Sequence, residues 1–134
     1  MKVVCLLAAS LMLAVPAASA QSKPAEANAP VAFPATDRGR LARQWLDAYN
    51  GGDESAYRKF METNAETGGT PIDARVERFG QMRQNLGDLT VLEAKETADG
   101  IELKVRTAHG DQGTVTVMIG TQPPLRFQAV RVEI

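Results

Sequence analysis

The side chains that usually carry nucleophilic and metal chemistry are nearly missing from this sequence. Its 134 residues include one cysteine and one histidine, and aromatic residues make up 5%. The cysteine, Cys5, lies in a segment read below as a leader, so the chain beyond it has no thiol. That removes disulfides, thiolate nucleophiles and thiolate metal sites. Beyond the leader, serine occurs only at Ser22 and Ser55, and neither stands in any pattern with a histidine. Ser-His-Asp chemistry is thereby excluded. The lone His109 falls in a Gly-flanked turn, His109-Gly110-Asp111-Gln112-Gly113. Zinc needs several nitrogen or sulfur donors, and His109 with Asp111 is too sparse for a calcium loop. No glycine-rich phosphate cradle stands between a strand and a helix. No metal and no cofactor are expected.

An excess of charge is also missing. Met1–Ala20 contains one of the fifteen basic residues, which leaves fourteen against sixteen acidic ones, a formal −2. A nearly neutral domain has no electrostatic footprint for nucleic acid.

The chain begins with Lys2, then an apolar run over Val3–Val15, then the small-residue pattern Ala18-Ser19-Ala20. This is the pattern of a secretory leader cut before Gln21. The run is interrupted by Pro16 and falls short of the ~20 residues that a membrane span needs. Cys5 stands near the start of the run rather than closing it, unlike a lipoprotein cysteine. The expectation is a secreted or periplasmic protein without a stable membrane anchor. Residues 21–36 are rich in Pro and Ala without a hydrophobic period, the composition of an extended tether. Residues 37–134 are then one domain, large enough to fold on core burial alone.

That domain is organised around Arg40–Phe60, a helix, a Gly-Gly stop and a second helix. Leu41, Ala42, Trp45, Leu46, Ala48 and Tyr49 share one face of the first helix, opposite Arg40, Arg43, Gln44, Asp47 and Asn50. Thr36 or Asp37 caps it, and Asn50-Gly51-Gly52 ends it. Asp53 caps the second helix, whose apolar face is Ala56, Tyr57, Phe60 and Met61. Thr70-Pro71-Ile72-Asp73 predicts a third helix begun by a capping box with proline in the first turn. Its stripe is Ile72, Val76, Phe79, Met82 and Leu86, ending at Gly87. Two arginines fall inside the stripe. Arg83 points about 20° from both Ile72 and Val76 on a helical wheel, and Arg75 lies in the same arc.

From Leu89 the period changes to two. Leu89–Thr97, Ile101–Arg106, Thr114–Ile119 and Leu125–Ile134 read as strands joined by turns at Asp99-Gly100, His109–Gly113 and Thr121–Pro124. In the last strand Leu125 and Phe127 are out of phase with Val130, Val132 and Ile134, and a bulge near Gln128 would reconcile them. Three helices followed by four antiparallel strands with one apolar face predict an α+β fold. The N-terminal helices cover one face of a curved sheet.

The order of elements, and the reading QWLDAYNGGDESAYRKFM in particular, resembles the nuclear transport factor 2-like (NTF2-like, SnoaL-like, cystatin-like) superfamily. Its first helix carries an aromatic stripe that ends in an Asn/Ser-Gly-Asp corner, here Trp45, Tyr49, Asn50, Gly52 and Asp53. The stretch RVERFGQMRQNLGDLTVL with its following hairpins is similar to small domains that accompany secreted bacterial hydrolases. The resemblance covers about Asp37–Ile134. It implies isomerases, cyclases, transport factors or inert binding modules, since the fold alone does not set the function.

Carboxylate acid–base chemistry is the one catalytic class left open. Asp37, Asp53 and Asp73 read as caps, while Asp47, Glu62 and Glu77 lie on polar helix faces. Strict alternation from Leu89 and Val91 turns Glu93 inward, although a one-residue bulge would return it to solvent. Arg83 either covers apolar surface with its stem or reaches into the mouth between helices and sheet. There it would pair with Glu93 or an anionic ligand. Trp45, Tyr49, Tyr57, Arg83 and Glu93 are therefore the candidate cavity lining. The expected function is an exported, non-catalytic binding or accessory domain for a small ligand, peptide or protein. The alternative is a cofactor-free isomerase or hydrolase that uses carboxylate and tyrosine. A monomer or weak dimer is expected, because the outer sheet face carries Glu102, Lys104, Arg106, Thr114, Thr116 and Met118.

Overall fold

The computed structural model describes residues 31–134, and the leader reading together with most of the tether lies outside the described residues. Helices α1 (Asp37–Asn50), α2 (Glu54–Asn64) and α3 (Ile72–Leu86) precede strands β1 (Thr90–Glu96), β2 (Gly100–Arg106), β3 (Gln112–Ile119) and β4 (Phe127–Glu133). The strands form one antiparallel sheet in the order β1-β2-β3-β4, with the helices packed against it. The α+β architecture is the expected one. Among the described residues no helix is long and apolar enough to cross a membrane.

Local chemistry sets the helix ends. The Thr36 hydroxyl accepts from Gly39 N–H at 3.1 Å, which satisfies one of the unpaired donors that open α1. Gly51 keeps right-handed helical geometry, while Gly52 turns the corner at φ +70°, a conformation that costs glycine nothing. The Asp53 carboxylate accepts from Ser55 N–H at 2.9 Å and starts α2 at once. Only Tyr57 and Met61, one turn apart, are fully buried on α2. Ala56, expected on the inner face, is exposed because α2 meets the core along this narrow stripe.

The capping box expected at α3 does not form. Pro71 occupies the cap position without a side-chain hydrogen bond. Asp73, its intended partner, accepts from Arg58 of α2 at 2.7 Å, and the Thr70 carbonyl accepts from Arg75 Nε at 3.0 Å. A contact between helices thus replaces a contact within one.

The inner sheet face carries Ile101, Leu103, Val105, Val115 and Val117, all without exposure, against Leu41, Trp45, Tyr49, Met61 and Phe79. Full burial of such side chains contributes roughly 1.5–3 kcal/mol each. The bulge expected near Gln128 is present. Met118 pairs with Ala129 and Ile119 with Phe127, so Gln128 is the extra residue and Phe127 stays buried beside a half-buried Val130. A second register shift falls between Val91 and Glu93 of β1.

Two arginine contacts fix α1 to what surrounds it. Arg38 donates to the carbonyls of Thr97, Ala98 and Ile119 at 3.0–3.1 Å, which ties the start of the helix to two strand ends. Arg43 lies over the ring of Phe33, 5.8 Å from its centroid, and Phe33 packs on the core. The end of the tether therefore lies against the domain.

Candidate functional site

The aromatic residues expected to line a cavity pack against one another. Trp45 stacks on Tyr49 with centroids 5.4 Å apart, Tyr49 meets Phe79 edge-on at 5.9 Å, and Phe79 stacks on Tyr57 at 4.2 Å. Their polar atoms are also engaged. Trp45 Nε1–H donates to the Tyr57 hydroxyl at 3.0 Å, and the Tyr49 hydroxyl donates to the Gly87 carbonyl at 2.8 Å. Burial pushes Tyr49 up to about 12 from 10.0, against the opposing pull of the Arg83 guanidinium. Burial likewise raises Tyr57, partly offset by the Trp45 hydrogen bond. Burial thus favours the neutral form of both phenols, Tyr49 as a donor to Gly87 and Tyr57 as an acceptor from Trp45. The centre of the domain is filled with side chains.

Arg83 does not enter a mouth between helices and sheet. Its guanidinium lies over the Tyr49 ring, 5.4 Å from the centroid, and forms an ion pair with Asp88 just past the end of α3. Glu93 is the clearest departure from strict alternation. The shift at Leu92 turns it to the outer sheet face, where it is exposed and pairs with Lys104 at 3.2 Å. Trp45, Tyr49, Tyr57 and Arg83 are thus neighbours, and Glu93 is on the other side of the sheet.

The seam between α3 and the edge strand β4 forms a small cavity of about 70 Å³. Tyr57, Arg75, Arg78, Met82, Phe127 and Gln128 are among its lining residues. Arg75 is only 7% exposed. Its Nη1 donates to the Gln128 carbonyl at 2.8 Å, at the bulge, and its guanidinium lies 5.5 Å from the Phe127 centroid. Arg78, one turn on, donates to the Val130 carbonyl at 3.3 Å. The helical wheel places Arg75 inside the apolar arc of α3 without assigning it a role. That position was the available signal. One of the two carbonyls it serves, that of Gln128, belongs to a bulge more than fifty residues away.

Other hollows are open to solvent, such as the groove of about 540 Å³ between the start of α1 and the Thr121–Leu125 turn. Among the described residues no group of three His, Cys, Asp or Glu side chains is placed to hold a metal. In comparisons with family models, characterised proteins and solved structures, the chain matches none.

Proposed function

We propose that this is an exported, non-catalytic NTF2-like domain that works by docking to a protein partner. The observation that carries this reading is the filled interior. Where a ligand-binding or catalytic relative would need an open chamber, Trp45, Tyr49, Tyr57 and Phe79 close against one another. The volume left at the α3–β4 seam, about 70 Å³, is far below the roughly 300–1,000 Å³ of ordinary ligand sites. The carboxylate–tyrosine enzyme loses its inward base, because Glu93 is paired with Lys104 on the outer face. Export rests on the sequence of Met1–Ala20.

Binding by such a domain falls to its surface, and that surface is polar. Leu92 and Ile134 are the large apolar side chains exposed among the described residues. A polar surface suits a transient interface better than a permanent one. The test is crosslinking of the full chain in its exported compartment through Lys95 and Lys104, read by mass spectrometry. Reproducible links to one protein are expected. The reading would be overturned if the purified chain hydrolysed simple esters or isomerised keto–enol substrates, and Tyr57→Phe abolished that turnover.

A further inference from the structure

The two edges of the sheet differ in what covers them. Along β4 the Phe127 carbonyl accepts from Glu66 N–H at 2.9 Å, that of Gln128 from Arg75 at 2.8 Å, and that of Val130 from Arg78 at 3.3 Å. Edge strand β1 has no such cover. Thr97 N–H donates to the Gly100 carbonyl at 2.8 Å and closes the β1–β2 hairpin. Backbone groups alternate in direction along an antiparallel ladder. Glu93 and Lys95 therefore bond to β2, and the N–H and C=O of Ala94 and Glu96 point away from it. Among the described residues the side-chain bonds nearest to these groups fall outside the strand, at Leu89 and Thr97. A row of unpaired donors and acceptors on a sheet edge is a template for another strand.

The side chains beside this edge select the strand that fits. On the outer face Glu93 pairs with Lys104 at 3.2 Å and Lys95 with Glu102 at 3.4 Å, so the sign of charge reverses within two residues of β1. A second β1 laid antiparallel, with a two-fold axis at Ala94, sets Glu93 opposite Lys95 of the second copy. Each row across the joined sheets then runs Lys104, Glu93, Lys95, Glu102, alternating in sign. Ala94 faces its own copy as the hydrogen-bonded pair, so Glu93 and Lys95 meet in the closer, non-hydrogen-bonded kind of pair. Moving the axis one residue either way sets Glu93 against Glu93 or Lys95 against Lys95. Like charges directly opposite are destabilising, and this selects the register.

We infer that β1 is the docking edge for a second copy of this chain, joining two four-stranded sheets through an antiparallel β1–β1 pair. The contact is short. The shift at Leu92 breaks the regular ladder on one side, and the turn after Thr97 ends it on the other. So few residues bury less than the ~1,200 Å² of a stable interface, and the pairing is weak and reversible. Its rows of charge are exposed, so salt weakens it further. The inference does not rest on docking of a different protein, and either holds if the other fails.

The test is amide hydrogen exchange by NMR on the full chain in its exported form, with sedimentation over the same range of concentration. Exchange at Ala94 N–H should slow as concentration rises, with a dissociation constant on the order of 0.1–1 mM, while amides along β4 stay unchanged. Glu93→Lys and Lys95→Glu each leave a single sign of charge at the edge, and each should weaken association about tenfold. Both side chains are exposed, so neither change disturbs the core. In an equal mixture of the two variants every opposite pair across the contact is restored, and association should return toward that of the parent. The assignment is overturned if exchange at Ala94 is independent of concentration up to about 1 mM, well inside the expected range. It is equally overturned if either variant associates as the parent does, or if the mixture associates no better than its components.

Discussion

Trp45 Nε1–H donates to the Tyr57 hydroxyl at 3.0 Å, joining α1 to α2 across the corner that the glycines make. Neither polar atom has water as a ready substitute, since Trp45 is fully buried and Tyr57 is 4% exposed. Tyr57→Phe keeps the ring on Phe79 but leaves the indole N–H unpaired. The expected loss is about 1–3 kcal/mol, the penalty for stranding a buried donor. Trp45→Phe should cost more, about 3 kcal/mol, because it also opens a void. In the double variant the second change should be less costly than in isolation. Urea unfolding of the four proteins measures this, and strictly additive losses would show that the bond does not couple the helices.

The corner itself gives the sharper contrast. Gly52 is held at φ +70°, and a Cβ there would sit 3.1 Å from Arg83 Nη2. Gly51 keeps a right-handed φ of −61°. Gly52→Ala should therefore cost about 1 kcal/mol or more, while Gly51→Ala should be nearly neutral or slightly stabilising. Thermal midpoints of the two single variants decide it. Equal losses would mean that the corner tolerates either residue in the left-handed conformation.

This corner was legible before any coordinates, and so was the bulge at Gln128, because each leaves a local mark. One is a glycine pair between two capped helices, and the other a slip in the phase of apolar residues. The bulge at Leu92 left a fainter mark. Val91 and Ala94 are both half-buried and stand three residues apart, out of a period of two, but a lone alanine signals burial too weakly to choose the bulge over strict alternation through Glu93. Arg83 was ambiguous for a different reason. Its direction on α3 was right, but its partner Asp88 lies beyond the helix end, where periodicity says nothing. Arg75 shows the same limit more strongly. Its place in the apolar arc was plain, yet what it binds depends on where β4 is laid down.

The phenol of Tyr49 makes the fold sensitive to alkali. Its folded value of about 12 lies above the 10.0 of an exposed tyrosine, chiefly through burial. The folded state thus holds this proton more tightly than the unfolded state. Its contribution to stability is fully present below pH 10 and is lost as pH rises from about 10 to about 12. Tyr57 is raised in the same direction and adds to the same slope. Tyr49→Phe should be less stable at neutral pH, since the Gly87 carbonyl loses its donor, and should lose less on going to pH 11. Denaturation midpoints at pH 7 and pH 11 provide the check. Parallel losses in parent and variant would remove Tyr49 as a source of the alkaline sensitivity.

The outer sheet face bears on self-association. Lys104 pairs with Glu93 at 3.2 Å, and Lys95 pairs with Glu102 at 3.4 Å, each across neighbouring strands. Thr114 and Thr116 follow on β3, and Arg131 and Glu133 on β4. Docking two such faces would withdraw several charges from water, and exposed ion pairs contribute only about 0–1 kcal/mol each, too little to offset that withdrawal. The exposed Leu92 and Ile134 stand in edge strand β1 and just past edge strand β4, too far apart in the sheet to form one patch. The expected state is a monomer, or a weak dimer that higher salt dissociates. Sedimentation across micromolar concentrations, at low and high salt, distinguishes these from a tight dimer. To locate any contact, Lys104→Glu sets like charges opposite each other at Glu93 without touching the core. A salt-indifferent dimer unaffected by Lys104→Glu would place the interface away from this face, at an edge strand or the tether end around Phe33.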